Sequence, residues 1–482
     1  MKPSAILLFL IAVFMLLFTA AMFFPEEGIN ISKGIRLHFF TREDLLSANK
    51  VKYADISNLL SRQEMLNDSI LTAIAEGRAI RKIDADSLRN SITPIEYPNN
   101  DSTILYPFFR TLKNLPNSGQ LIRIMHYGDS QIEDDRITSL LRNRLQSRFG
   151  GSGAGLVPAA QLYPYAFSMK QESSENWERY IGFARRDTSI GHTRYGPLAS
   201  FCSFTPVNLP SIRNDSIEAW IKFGISPYGY NNTKTFTQCR IFYGWNKSPF
   251  LNELYIDETL ADADIFPASS QLKVIRWTID NPGKEVMLRF KGSESPEVYG
   301  IALDGNRGVA VDNIPLRGCS GLFFTAFDEE LMAAMYKELN VKLFVLQFGG
   351  NFVPSGLDNY TGYENWFYSQ LIRIKKLCPS AKILVIGVAD MSLKDRNYYV
   401  TNPNVEKVRN ALKSASFKAG AAFWDMYKAM GGRNSMPSWV NANPPLASDD
   451  FVHFNPRGAK TIAQMFYNSF ILEYHKYEKY AN

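Results

Sequence analysis

Cysteine is scarce in this chain, with four in 482 residues and no two at CxxC spacing. Zinc and thiol–disulfide motifs need such spacing, so the sequence predicts neither a metal site nor a redox centre, and no cofactor is expected. Cys202 and Cys239 can pair if the chain is exported to an oxidising compartment. Buried free thiols are the simpler expectation for these two and for Cys319 and Cys378.

Clusters of like charge are also lacking. The formal net charge is +6, but the lysines and arginines are spread along the chain. Nucleic-acid-binding proteins gather such residues on one face, so nucleic acid is not predicted as a partner. A mild positive excess remains compatible with an acidic glycan or an anionic membrane surface.

Residues 5–24, AILLFLIAVFMLLFTAAMFF, contain no charge at all. About 20 helical residues span roughly 30 Å, the thickness of a bilayer's hydrocarbon core. Residues 22–24 make a poor signal-peptide cleavage site, so residues 1–24 are predicted to be an uncleaved anchor, with a cleaved signal peptide as the alternative. Lys2 precedes the span, which predicts by the positive-inside rule that the remainder is exported.

Residues 25–110 are predicted to form a helical stalk and linker. Leucine and isoleucine recur at helical spacing among many charges over residues 43–77. Residues 91–103 are polar and contain proline, which is typical of linkers.

Two separated segments, 111–160 and 311–482, have an α/β pattern. In the first, the apolar residues 121–125 predict a strand, and a helix with one apolar face follows it. GGSGAG at 150–155 lacks the GK[ST] ending of a nucleotide-binding loop and is interpreted as the end of this helix.

In the second segment, the continuous apolar runs 341–348 and 382–388 predict strands, and a helix is predicted between them over residues 364–377. Because such strands are typical of sheets covered on both faces, the two segments are predicted to form one flavodoxin-like parallel sheet.

Residues 161–310, between these segments, show apolar alternation with period two in several short runs. This pattern predicts an inserted antiparallel β-sandwich, similar to a carbohydrate-binding module. Most aromatic side chains in a sandwich fill its core, and stacking on sugar rings is the less common role. The candidates for sugar contact are Trp220, Tyr228, Tyr230, Phe242 and Trp245.

Three polar segments follow predicted strands or lie in loops: residues 128–130 (Gly-Asp-Ser), 349–351 (Gly-Gly-Asn) and 450–453 (Asp-Phe-Val-His). Each alone is an ordinary turn, strand-end loop or helix cap. Together they supply a hydroxyl nucleophile, an amide donor and a histidine with a carboxylate three residues away. Open α/β sheets build their sites at the carboxyl ends of strands, where these segments are expected to meet.

In this order, the three segments resemble the conserved blocks of the SGNH, or GDSL, hydrolase superfamily. The resemblance covers roughly residues 121–160 and 311–475. It implies that Ser130, His453 and Asp450 form a catalytic triad without a metal. It also implies an oxyanion hole made by the Ser130 and Gly318 backbone N–H groups and the Asn351 amide, with Gly321 and Gly155 as alternatives to Gly318.

Two residues depart from the usual SGNH pattern. Phe352 stands where the third block often continues with aspartate, and Gln131 stands where the first block often continues with leucine. The strings HYGDSQ (126–131) and QFGGN (347–351), together with the intervening β segment, resemble the peptidoglycan O-acetylesterase branch. The predicted anchor resembles SGNH proteins that work beside membrane-bound O-acyltransferases.

The resemblance therefore implies a membrane-anchored, periplasmic serine esterase of the bacterial envelope that removes O-acetyl groups from peptidoglycan or another polysaccharide. An O-acyltransferase and a non-catalytic glycan-binding protein are the alternatives. The expected partners are an O-acetylated glycan, the membrane and a membrane-bound O-acyltransferase.

Three further polar residues lie near the predicted site. His126 is expected to make a structural hydrogen bond, with substrate contact as the alternative, and Asp129 is expected to cap the turn at the nucleophile. Asp390 follows a predicted strand at the same sheet edge and is a candidate for lining the cleft, with no role assigned.

Overall fold

The computed structural model describes residues 3–25, 28–32, 35–37, 39–40, 51–66, 68–76, 91–161, 167–207 and 215–481. The chain divides into two units, Met1–Lys52 and Tyr53–Asn482. In the first unit, helix α1 covers Pro3–Phe23, and strands β1 (Ile29–Ser32) and β2 (Ile35–Leu37) pair antiparallel. Among the described residues, α1 alone is long and apolar enough to cross a membrane.

The described strands of the second unit belong to one mainly parallel sheet, two larger antiparallel sheets and one hairpin. In chain order they are β3 (Ile95–Glu96), β4 (Leu121–Gly128), β5 (Gly155–Val157), β6 (Met169–Ser173), β7 (Glu178–Ile181), β8 (Ser200–Ser203), β9 (Ile217–Ile225), β10 (Gln238–Gly244), β11 (Phe250–Ile256), β12 (Thr259–Phe266), β13 (Lys273–Thr278), β14 (Glu285–Gly292), β15 (Glu297–Asp304), β16 (Gly308–Pro315), β17 (Val341–Gln347), β18 (Lys382–Ile386), β19 (Ser392–Asp395), β20 (Tyr398–Thr401) and β21 (Ala422–Trp424).

The described α-helices of this unit lie before, between and after the strands of the parallel sheet. They are α2 (Ser57–Met65), α3 (Asp68–Glu76), α4 (Tyr106–Ser118), α5 (Thr138–Phe149), α6 (Glu329–Glu338), α7 (Thr361–Leu377), α8 (Val405–Lys418), α9 (Met426–Ala429), α10 (Ser435–Val440) and α11 (Pro456–Tyr480).

The central sheet has the strand order β16-β4-β17-β18-β21-β3, in which neighbouring strands from β16 to β21 are parallel and β3 is antiparallel to β21. Both of its faces are buried, because alternate residues of β4 enter different apolar clusters. Ile122 and Ile124 pack with residues of α4, α5 and α11, whereas Met125 and Tyr127 pack with residues of α6, α7 and α8. The prediction of a parallel sheet covered on both faces is confirmed.

This sheet brings three strand ends together. Gly128 at the end of β4 is in register with Pro315 of β16 on one side and with Gln347 of β17 on the other. The segments that follow these residues therefore leave the sheet at one edge.

In the chain, the strands of the antiparallel sheets lie between β4 and β16 of the central sheet. One has the order β13-β10-β15-β8-β7, with β5 also paired to β15, and the other has the order β12-β11-β14-β9-β6. The predicted alternation is seen in β9, where Ala219, Ile221 and Phe223 are buried and enter an apolar cluster shared by both sheets. The first strand, β5, begins at Gly155, before the predicted boundary at 161, and the predicted boundary at 310 lies within β16.

The predicted stalk differs from the structure from Tyr53 onward. Ile95–Glu96 is a strand of the central sheet, and Phe108 and Phe109 of α4 are buried against α11. A linker is therefore not an adequate description of residues 91–110, because isolated apolar side chains in a polar segment anchor it to the core. Residues 41–50 and 77–90 of the predicted stalk lie outside the described residues.

All four cysteines are free and buried, as expected, and Cys202 and Cys239 do not form a disulfide.

Candidate active site

The segment that carries the predicted nucleophile Ser130 (residues 129–135, the nucleophile segment) begins where β4 ends. Asp129 caps the short helical turn Ser130–Asp135, because its Oδ1 accepts the Gln131 N–H at 3.0 Å. Position 128 leaves little room for a side chain, since a Cβ there would lie 3.0 Å from both the Gln347 carbonyl oxygen and the Ile132 side chain. This turn leaves the Ser130 hydroxyl half-buried at the sheet edge.

Ser130, His453 and Asp450 form one hydrogen-bonded row. The Ser130 Oγ lies 2.9 Å from His453 Nε2, and His453 Nδ1 lies 2.7 Å from Asp450 Oδ2. With the proton on Nδ1 held by the carboxylate, Nε2 is free to accept the hydroxyl proton. The row contains the three groups needed to activate a serine hydroxyl.

Asp450 also shapes the loop that carries the histidine. Its Oδ1 accepts the Val452 N–H at 2.9 Å and the His453 N–H at 3.0 Å. Burial raises the pKa of the Asp450 carboxyl, but the hydrogen bonds from His453 and Val452 outweigh this effect and leave its pKa below the ordinary value. Asp450 therefore stays ionised while it orients the imidazole.

Gln131 connects the nucleophile segment to the histidine loop. Its Nε2 donates to the Val452 carbonyl at 2.7 Å, and its Oε1 accepts the Phe454 N–H at 3.4 Å. Gln131 thus forms hydrogen bonds with the backbone on both sides of His453. The sequence marked this residue only as a departure from a pattern, because the contact joins positions 321 and 323 residues apart.

Gly318 lies in a tight turn at the same edge. The Leu316 N–H donates to the Gly128 carbonyl at 2.8 Å, and the Cys319 N–H donates to the Leu316 carbonyl at 2.9 Å. Gly318 has φ +78° and open space around the position of a Cβ. Neither its N–H nor that of Ser130 donates to another residue that the structure describes, so both are free to bind an anionic oxygen.

The two alternatives to Gly318 lie in packed surroundings. The Gly321 N–H donates to Cys319 Sγ at 3.3 Å, and a Cβ at Gly321 would meet the Phe348 ring at 2.9 Å. A Cβ at Gly155, in the paired strand β5, would lie 2.4 Å from Asp312 Oδ1. The geometry therefore favours Gly318.

Asn351 follows β17 and reaches the same turn. Its Nδ2 donates to the Cys319 carbonyl at 3.2 Å, and the residue is exposed. One of its two amide hydrogens remains available, because the side chain carries two donors.

A buried polar network lies beneath the site. His126 Nδ1 is 2.8 Å from Thr138 Oγ1, and its Nε2 is 3.2 Å from Gln347 Oε1. Thr138 donates in turn to Asn313 Oδ1 at 2.7 Å. Burial lowers the pKa of His126 to about 4, with Gln347 opposing and Arg142 adding to the shift. His126 therefore stays neutral and has the structural role expected of it.

Two carboxyl groups near the site are buried. Burial raises the pKa of Asp129 to about 6, although the Gln131 N–H and the charge of His453 act in the opposite direction. Asp390 accepts from Thr401 Oγ1 at 2.8 Å and from the Met436 N–H at 2.7 Å, and its side chain is wholly buried. The suggestion that Asp390 lines the cleft is therefore wrong, because its carboxylate holds a loop inside the core.

The aromatic candidates for sugar contact differ in exposure. Phe242 is wholly buried and is excluded as a stacking surface, whereas Tyr228 is 74% exposed. Trp245 has the Arg194 guanidinium 4.6 Å from its ring centroid, and Trp220 and Tyr230 are partly buried.

No group of three or more His, Cys, Asp or Glu side chains suited to a metal ion occurs within the described ranges.

The chain has an SGNH/GDSL hydrolase-like fold. Among solved structures, the chain is similar to a peptidoglycan O-acetylesterase, with a TM-score of 0.59 and 19% identity over 76% of this chain and 95% of the other. Weaker similarity links it to a GDSL-like lipase from Parabacteroides merdae (TM-score 0.24, 15% identity, 34% of this chain and 74% of the other). A family two carbohydrate esterase from Cellvibrio japonicus is also weakly similar (TM-score 0.23, 9% identity, 63% and 99%). No protein-family model and no curated protein sequence matches the chain.

Proposed function

We propose that this protein is a serine esterase of the SGNH type that removes O-acetyl groups from a polysaccharide of the bacterial cell envelope. The observation that carries the proposal is the row from Ser130 Oγ to His453 Nε2 at 2.9 Å and from His453 Nδ1 to Asp450 Oδ2 at 2.7 Å. The row lies at the carboxyl edge of a parallel sheet, where such folds bind their ligands.

In the proposed reaction Ser130 attacks the acetyl carbonyl carbon while His453 takes its proton. The tetrahedral oxyanion is held by the Ser130 and Gly318 N–H groups and the free Asn351 amide hydrogen. His453 returns the proton to the departing sugar oxygen, which leaves an acetyl-serine. Water then attacks the acetyl-serine, with His453 again as the base, and releases acetate.

A glycan substrate is supported by the similarity of fold to a peptidoglycan O-acetylesterase over most of the chain. We propose that the antiparallel sheets are a carbohydrate-binding-module-like insertion and that helix α1 anchors the protein in the membrane with its catalytic part in the periplasm. Its partners are then an O-acetylated envelope glycan, peptidoglycan in the first instance, and a neighbouring membrane-bound O-acyltransferase.

An O-acyltransferase remains the second candidate because the same acetyl-serine serves both reactions. The side chains of His453 and Asp450 are 34% and 46% exposed, so either water or a sugar hydroxyl can approach the base.

A fluorophosphonate probe tests the serine chemistry directly. We expect the probe to label the wild-type protein and to leave Ser130→Ala unlabelled. The control is Ser189→Ala, at an exposed serine in a loop, and it should be labelled as strongly as wild type. An unlabelled Ser130 in the folded wild-type protein would favour a non-catalytic glycan-binding role instead.

The products separate the two enzymatic alternatives. Wild-type protein is given an acetyl donor together with an unacetylated glycan, and free acetate and acetylated glycan are both quantified. The esterase proposal expects acetate to dominate, and dominant transfer to the glycan would replace it with the acyltransferase.

A further inference from the structure

A cleft beside the nucleophile segment contains an arginine that pairs with no carboxylate among the described residues. The cleft encloses about 640 Å³, including the solvent space at its mouth. It lies between the end of β16, at Asn313–Pro315, and strands β5, β6 and β7 of the antiparallel sheets. Arg179 of β7 is part of its wall.

The other charges in this wall are neutralised locally. Arg142 forms an ion pair with Asp135, and Asp134 pairs with Arg136 at 3.4 Å. Arg179 makes one side-chain hydrogen bond, from Nε to Ser200 Oγ at 2.9 Å. No carboxylate lies within ion-pair distance of Arg179 in the described part of the chain.

Two segments that the structure does not describe, residues 162–166 and 208–214, are close to β6, β7 and β8 in sequence, and they contain no aspartate or glutamate. Burial lowers the pKa of the Arg179 guanidinium, with only the nearby Cys202 opposing it. A partly desolvated cation without a counter-charge is a costly arrangement unless an anion occupies the cleft.

The position of the cleft connects it to the reaction. Asp134 in its wall lies four residues after Ser130, so at most ~14 Å of chain separates their Cα atoms. Pro315, which also lines the cleft, precedes the turn that carries Gly318. A group bound in the cleft therefore lies within reach of a substrate whose ester is at Ser130.

We propose that this cleft is a substrate subsite in which Arg179 binds a carboxylate of the acetylated glycan. The inference rests on the proposed esterase function and deepens it by naming the chemical class of the substrate. One unneutralised positive charge matches a monoanionic carboxylate better than a phosphate dianion, because the other charged side chains of the wall already pair with one another. Guanidinium geometry also suits a carboxylate, which accepts two parallel N–H bonds.

Binding a carboxylate remote from the ester should raise kcat/KM for deacetylation, because this binding energy helps to position the reacting ester. The carboxylate can come from a sugar acid in the glycan or from a peptide attached to it. Both sources offer the same group to Arg179, and matched substrates distinguish them.

The test compares the full-length protein on two acetylated substrates, an oligosaccharide with uronic-acid carboxylates and a glycan fragment with peptide carboxylates. Each is paired with a derivative in which the carboxylates are converted to carboxamides. We expect wild type to prefer one carboxylate form over its carboxamide by roughly tenfold or more in kcat/KM, the value of a charge-assisted hydrogen bond. The substrate that shows the preference identifies the source.

Arg179→Gln should reduce this preference to about one, and Arg179→Lys should retain part of it because the charge remains. The matched control is Arg276→Gln, at an exposed arginine on the opposite edge strand of the same sheet, which should keep the full wild-type preference. A preference that survives in Arg179→Gln, or its absence in wild type, would overturn the subsite.

A binding measurement keeps this inference separate from the esterase proposal. The Ser130→Ala protein cannot form the acetyl-serine, so titration calorimetry with the intact substrates reports binding alone. We expect the dissociation constant in Ser130→Ala to favour the carboxylate form, and the double variant Ser130→Ala, Arg179→Gln to lose that difference. Failure of the esterase proposal appears instead as an absence of Ser130-dependent acetate release from any substrate.

Discussion

Asn351 offers the most direct measure of the proposed oxyanion hole at the scale of single residues. Its amide touches the turn that carries Gly318 without being buried. Asn351→Ala should lower kcat for acetyl-ester hydrolysis about 100- to 1,000-fold, the usual effect of removing one such donor. Asn410→Ala, at an exposed helix position, serves as the control and should keep full activity. A parental rate in Asn351→Ala would exclude this amide from the hole.

Gln131 provides a separate test of positioning. Gln131→Leu removes both hydrogen bonds to the backbone around His453, so the imidazole should lose its alignment with Ser130. We expect kcat to fall roughly tenfold to a hundredfold with KM nearly unchanged, since small displacements of catalytic groups are costly. Gln131→Glu keeps an acceptor for the Phe454 N–H but loses the donor to the Val452 carbonyl. Its kcat should lie between those of wild type and Gln131→Leu.

Steady-state kinetics and urea unfolding of the same variants separate positioning from stability. A purely structural role for Gln131 predicts a lower free energy of unfolding with kcat unchanged in the folded fraction. Gln271→Leu, at an exposed residue, should change neither quantity.

The polar residues of the site could be predicted from the sequence because each stands beside a recognisable strand or turn. The structure brings Ser130, His453 and Asp450 into hydrogen-bond contact, and their catalytic roles stay a prediction. Gln131 and Arg179 could not be found in this way. Their significance depends on what stands opposite them in space, and for Arg179 on the lack of a carboxylate beside it in the described part of the chain.

At the scale of elements, the His126 network joins β4, β17, β16 and α5 below the site. The pKa of His126 falls from 6.5 to about 4, so the unfolded chain binds a proton more readily than the folded one between these values. The contribution of the neutral His126 to the free energy of unfolding is therefore complete above pH 6.5 and is lost as the pH falls toward 4. This pKa difference corresponds to about 3 kcal/mol.

His126→Gln should remove this dependence while keeping polar groups in the network. Between pH 7 and 4.5, wild type should lose about 2 to 3 kcal/mol more unfolding free energy than the variant, measured by urea denaturation at each pH. The raised pKa of Asp129, to about 6, acts with the opposite sign and is present in both proteins, so it cancels in the difference. Equal pH dependence in the two proteins would contradict a buried neutral His126.

The elements themselves were predictable where the apolar pattern was long. Strands over residues 341–348 and 382–388 were expected, and β17 and β18 occupy Val341–Gln347 and Lys382–Ile386. The helix expected over residues 364–377 begins three residues earlier, at Thr361. The edge strand Ile95–Glu96 was not predicted, because two residues are too few to show an alternating apolar pattern. It is a strand because it pairs with β21.

At the scale of the whole molecule, Arg123 connects the two kinds of sheet. It lies in β4, is wholly buried, and pairs with Asp304 at the end of β15 and with Asp312 of β16. Arg240 of β10 also reaches Asp304, at 3.2 Å. The parallel and antiparallel sheets thus share one buried ionic cluster.

Arg123→Met should destabilise the protein by about 3 to 5 kcal/mol, because it leaves two buried carboxylates without their common partner. Chemical denaturation gives the free energy of unfolding. The control Arg276→Met breaks an exposed ion pair with Glu338 and should cost about 1 kcal/mol or less. A similarly small loss in Arg123→Met would mean that the cluster does not hold the sheets together.

The largest discrepancy between sequence and structure also belongs to this scale. A stalk was expected up to residue 110, yet the described residues from Tyr53 belong to the larger unit. Polar composition predicted the linker, whereas a few buried apolar residues decide the packing.

Ser130 and His453, the proposed nucleophile and base, are 323 positions apart, and His453 stands just before α11. Synthesis runs from the amino terminus, so a nascent chain carries the Ser130 hydroxyl long before its proposed proton acceptor has been made. Under the proposed mechanism such a chain stays inert toward esters until the residues around His453 have emerged and packed, which couples the onset of activity to late folding.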